Sequence, residues 1–152
     1  GIYGPINQAL YPYVAKEKNI KLYKKIFLTV VSLNCIGVVI LFLFGNFIFS
    51  LLFTQKIGIE TIKIFHIFLV ANLFAVPSVL FGYPFLGALG HTKFTNNSVI
   101  ISSFYHIIGL ISLVIVNKLT IYSIAFLFVT TVIVEFSIRF YGVKKYKLWN
   151  EQ

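Results

Sequence analysis

Residues 26–55 form a run of thirty without a formal charge, and further uncharged runs follow at 64–92, 94–117 and 119–134. A helix needs about 20 apolar residues to cross a hydrocarbon core of ~30 Å, so each of the first three runs is long enough. The fourth reaches across if it continues past Glu135 to about Tyr141. Helices must be the crossing element, because lipid offers no partner to an unpaired backbone N–H or C=O. The runs are continuous and lack the alternation of a barrel strand. The sequence therefore predicts an all-α membrane protein with four transmembrane helices, at about 26–47, 64–86, 96–116 and 119–141. Gly45 and Asn46 mark the expected end of the first span, with an interfacial turn beyond. Pro77 marks an expected kink in the second.

Composition removes the other classes. Of 152 residues, 59% are hydrophobic and 11% charged, against about half and about a quarter in a soluble domain. A small globule cannot bury that excess, so a soluble enzyme, a zinc-finger protein and a disordered tail are poor fits. Thirteen Lys and Arg face four acids, all Glu, for a formal charge of +9. On a soluble protein such a balance points to nucleic acid. Here the basic residues fall between apolar runs, the bilayer is the expected partner, and no nucleic acid is. Lys16, Lys18, Lys21, Lys24 and Lys25 precede the first span, Lys93 follows the second, and Arg139, Lys144, Lys145 and Lys147 close the fourth. Only Lys56, Lys63 and Lys118 fall on the opposite side. The positive-inside rule places the larger set, and with it both ends of the chain, in the cytoplasm. Cys35 is the one cysteine, so no intramolecular disulfide is expected.

Residues 1–152 read as a single transmembrane domain. Residues 1–15, with Pro5 and Pro12, read as the inner end of a preceding span. Residues 16–25 read as a basic cytoplasmic loop or surface helix, and 142–152 as a cytoplasmic tail. The chain opens on Gly1 and contains no Met, so it is expected to be a piece of a longer protein.

Enzyme motifs are missing: there is no G-x-S-x-G, Walker loop, H-E-x-x-H or C-x-x-C. His66, His91 and His106 lie on different segments, so neither a metal site nor a cofactor is expected, and no catalysis. The informative groups are polar residues inside spans, since burying them costs free energy. His106 follows Ser103 and Ser102 by three and four residues, placing all three on one helix face. They read either as a proton-responsive or sugar-binding group facing a water-filled cavity, or as an interhelical hydrogen bond. Glu135 precedes Arg139 by four residues, the favourable order for a helical ion pair. Arg139 is expected to snorkel to the cytoplasmic edge and draw Glu135 with it. The other reading makes Glu135 a cation or proton site, with Thr131 one turn earlier. Lys63 and His66 open the second span as a solvated helix end or an outer gate. Ala71, Ala75, Ser78 and Gly82 form a stripe of small residues that lets another helix approach closely, with Pro77 beside it. Ser98, Ser102, Tyr105, Gly109 and Ser112 form a comparable stripe on the third span.

Two segments carry a family resemblance. PINQALYPYVAK at residues 5–16 and GYPFLGALGHTKF at 82–94 resemble bacterial polysaccharide flippases, the O-antigen and repeat-unit translocases of the multidrug/oligosaccharidyl-lipid/polysaccharide exporter superfamily. The spacing of apolar segments is similar along the whole chain. The resemblance implies one bundle of a flippase-like fold, the C-terminal part of a longer transporter whose N-terminal bundle completes it. It implies alternating-access translocation of undecaprenyl-pyrophosphate-linked oligosaccharide across the bacterial inner membrane, with H+ or Na+ as a possible coupling ion. His106 and Glu135 are then the deep titratable candidates. Family cavities are cationic, whereas no Lys or Arg is expected at mid-span here. A multidrug exporter of the same superfamily, a membrane enzyme of glycan assembly and a structural four-helix subunit are the competing readings.

Overall fold

The structure, a computed structural model, describes residues 10–17, 19–52 and 58–149. Four long α-helices dominate it: α1 (Ile20–Leu52), α2 (Ile59–Phe81), α3 (Thr92–Ile115) and α4 (Ile121–Lys145). Two π-helical segments, Tyr13–Glu17 and Gly82–Gly87, precede α1 and continue α2. All four helices are long and apolar enough to cross a membrane. The all-α membrane architecture read from the sequence is the one observed, and no strand occurs among the described residues.

The boundaries differ in instructive ways. α1 starts at Ile20, so Lys21, Lys24 and Lys25 ride on its first turns instead of in a loop. It also runs through Gly45 and Asn46 without a break to Leu52. Gly45 is buried there, and a Cβ on it would lie 3.3 Å from the Phe65 ring. The glycine serves close approach of α1 to α2, not termination. α2 stays α-helical through Pro77 and leaves α geometry only at Gly82. Pro84 explains the place: it has no N–H to give the carbonyl of Leu80, four residues back. The Tyr23 hydroxyl of α1 donates to that carbonyl instead, at 2.7 Å. Residues 1–9, which hold Pro5 and the first five residues of the first resembling segment, lie outside the described residues, as do Lys18, Lys56 and the last three residues of the tail.

Helix ends are set by local chemistry. After α3, Asn117 takes φ 52°, and the amides of Asn117 and Lys118 bond back to the carbonyls of Val114 and Leu113. This is the Schellman pattern, in which a left-handed residue lets the last carbonyls find donors. Thr120 and Ser123 then exchange side-chain and backbone hydrogen bonds in a capping box that starts α4. The same closing pattern recurs after α4, with Lys147 at φ 52° and the Leu148 amide on the Val143 carbonyl.

In packing order the helices run α1, α2, α4, α3, with α2 and α4 in the middle. Burial concentrates at the lysine-rich end. There Tyr23 and Phe27 of α1, Leu80 and Phe81 of α2, Phe85 and Leu86 of the π-helical segment, and Val143 of α4 form one cluster. Stacked rings hold it, Tyr23 on Phe85 at 4.3 Å and Phe27 on Phe81 at 4.6 Å between centroids. α1 and α3 leave long apolar faces exposed, including Leu33, Phe44 and Leu51 on one and Phe104, Ile108 and Ile115 on the other. In a bilayer such faces meet lipid tails or further helices.

Candidate functional site

The deepest charge among the described residues is Arg139, on the last third of α4 and only 5% exposed. It does not snorkel outward. Its side chain turns into the junction of α2, α3 and α4, because small residues face it from the neighbouring helices. Its Nε donates to Ser98 Oγ of α3 at 2.9 Å. Its Nη1 donates to the Ser78 carbonyl of α2 at 2.9 Å and to Ser78 Oγ at 3.3 Å. Its Nη2 pairs with Glu135 one turn earlier on the same helix. A Cβ on Gly82 would come within 3.1 Å of Nη1, so glycine keeps this space open. A planar guanidinium with several fixed donors suits such a task, since it can bond three helices at once.

The small-residue stripe of α2 is thereby given a role its spacing did not reveal. Ser78 and Gly82 admit the guanidinium; Ala71 is buried and Ala75 half-buried farther up. Pro77, beside the stripe, is buried too and faces the aromatic groove described below. Within the small-residue stripe of α3, Ser98 and Ser102 are buried and Gly109 is half-buried, while Tyr105 and Ser112 are exposed. Ser98 passes its own proton to the Thr95 carbonyl at 2.7 Å, so its oxygen is free to accept from Arg139.

The three-residue face expected around His106 is divided. Ser102 is buried and donates to the Val99 carbonyl of its own helix, whereas Ser103 is exposed. His106 instead meets Thr131 of α4, with 2.9 Å between Nδ1 and Oγ1. Thr131 donates its one hydroxyl proton to the Leu127 carbonyl at 2.7 Å, so Nδ1 must be the donor to Thr131. Thr131 thus partners the histidine across the helix interface, and Glu135 partners Arg139. At the opposite end of α2, Lys63 is exposed and His66 lies against Phe42 of α1, 4.4 Å between ring centroids. Neither meets the Arg139 centre.

Two features escaped sequence reasoning. The first is an amide pair at mid-span, Asn72 Nδ2 donating to Asn34 Oδ1 at 2.7 Å. Each is an asparagine within an uncharged run, which is the signal that points to it. The second is a cavity of about 640 Å³ at the lysine-rich end, walled by Phe27, Phe81, Phe136, Phe140 and Trp149 and rimmed by Lys144 and Lys147. Nothing local in the sequence announces it, because its walls come from three helices and the turn after α4. No cluster of three His, Cys, Asp or Glu side chains occurs among the described residues.

No family model matches the chain, and no curated protein or solved structure matches it either.

Proposed function

We propose that the chain is the helical part of a transporter that flips undecaprenyl-pyrophosphate-linked oligosaccharide across a bacterial cell membrane by alternating access. One observation carries the transport reading: an ion pair, Glu135 with Arg139, sits where three membrane-length helices meet. A static bundle gains little from such a pair, because apolar residues of similar volume pack as well without the desolvation cost. A pair tied to two further helices by a few hydrogen bonds can break and re-form as those helices shift, which gives a bistable joint. Intramembrane ionisable residues ordinarily mark a transport path. The choice of cargo rests on the resemblance of residues 5–16 and 82–94 to polysaccharide flippases. His106, held by Thr131, and Glu135 are the groups on which a proton or sodium ion would act.

The test is export of lipid-linked glycan in cells whose chromosomal copy carries Glu135→Gln, Arg139→Gln or His106→Ala. Each variant, at wild-type protein level, is expected to export less glycan than the parent. Wild-type export from all of them would reduce these residues to packing. Loss of drug efflux with intact glycan export would assign the chain to a small-molecule exporter instead.

A further inference from the structure

The aromatic cavity at the lysine-rich end belongs to no part of the Arg139 centre. It lies between α1, α2 and α4, beside the aromatic cluster. Val31 and Pro77 complete its apolar wall. Its cations are arranged about that wall: Lys144 Nζ stands 5.0 Å from the Phe140 ring centre, and Lys24 Nζ stands 5.7 Å from that of Trp149. Lys147 lines the cavity, and among the described residues no carboxylate does. The hollow is thus greasy along its length and positively charged at the end where the positive-inside rule places the cytoplasmic leaflet.

We infer that this groove seats an anionic diacyl phospholipid of the surrounding bilayer. One acyl chain lies against the phenylalanine wall, and the headgroup phosphate rests on Lys24, Lys144 and Lys147. Charge complementarity selects this occupant. An apolar helix would fill the wall but leave three ammonium groups without a counter-charge, and a zwitterionic lipid would cancel its own phosphate. Basic pockets between spans on the cytoplasmic side are suited to anionic headgroups, which that leaflet supplies. The inference does not depend on which cargo is translocated.

Trp149 is the one tryptophan of the chain and lines the groove, so it reports occupancy directly. The full chain is reconstituted in phosphatidylcholine vesicles containing a minor fraction of lipid brominated on the acyl chain. Quenching of Trp149 is taken as the difference from Trp149→Phe. Brominated phosphatidylglycerol is expected to occupy the groove on the order of tenfold more strongly than brominated phosphatidylcholine, given the contribution of each lysine near a lipid surface. Changing Lys24, Lys144 and Lys147 to Gln together should bring the two lipids to parity, with the helical circular dichroism unchanged. Val31→Phe, which fills the groove, should weaken quenching by both. Equal quenching in the wild type, a preference surviving in the triple variant, or no quenching by either lipid would overturn the assignment. Displacement by stoichiometric polyprenyl pyrophosphate would also overturn it, giving the groove to cargo.

Discussion

Arg139 shows how one side chain can tie a membrane bundle together. Its fork reaches Ser78 and Ser98 on two other helices while Glu135 balances its charge. Lysine carries charge but no fork: its three donors share one nitrogen, so it cannot reach Ser78, Ser98 and Glu135 with the same spread. Arg139→Lys is therefore expected to lose roughly 1–2 kcal/mol, the cost of leaving a buried polar group unmatched. Arg139→Ala should lose about 3 kcal/mol, because Glu135 would remain as an uncompensated charge. Unfolding of the detergent-solubilised chain measures both, and wild-type stability of the lysine variant would refute the three-helix role. The four-residue spacing of Glu135 and Arg139 was legible in the sequence. The direction of the arginine was not, because it is decided by the serines and the glycine opposite, which are distant in sequence and small for reasons visible only once the helices pack.

At the scale of elements, the second half of α2 is shaped by a missing proton. Pro84 cannot supply the Leu80 carbonyl, and Tyr23 does so from another helix. Tyr23→Phe should therefore cost about 1–3 kcal/mol, since a buried carbonyl is left without a donor. In a Pro84→Ala background the new amide can serve that carbonyl, and the same tyrosine substitution should cost much less. A double-mutant cycle reads this coupling; equal costs in both backgrounds would show that the two residues act separately. The four helices themselves could be read from uninterrupted apolar length, because lipid forces every backbone group into an internal bond. Their ends could not, since a charged residue does not by itself end a helix. Lysines at a helix end keep their ammonium groups in water on extended stems while their backbone stays helical, which lets α1 begin at Ile20. Gly45 misled in the same way, as a break in pattern that proves to be a point of contact with Phe65.

At the scale of the whole molecule, the alternation of helices places the turn at Asn117 on one side and the segment before α3 on the other. The orientation expected from the charge bias has the first external and the second cytoplasmic. With Cys35 changed to Ser, a cysteine at Asn117 should react in intact cells with a membrane-impermeant maleimide. A cysteine at Thr92 should react only after the membrane is opened. The reverse pattern would invert the orientation.

The uneven distribution of burial has a mechanical meaning. The aromatic cluster fastens α1, α2 and α4 where Tyr23, Phe81 and Val143 meet, much as a rivet fastens tongs. α1 extends some 50 Å at 1.5 Å per residue, and toward Leu52 its surface is largely apolar and uncovered. Farther along, α1 is held on its α2 side, where Gly45 meets Phe65 and Phe42 meets His66. The chain thus packs most tightly where its lysines cluster and leaves its arms bare to the bilayer toward the other end.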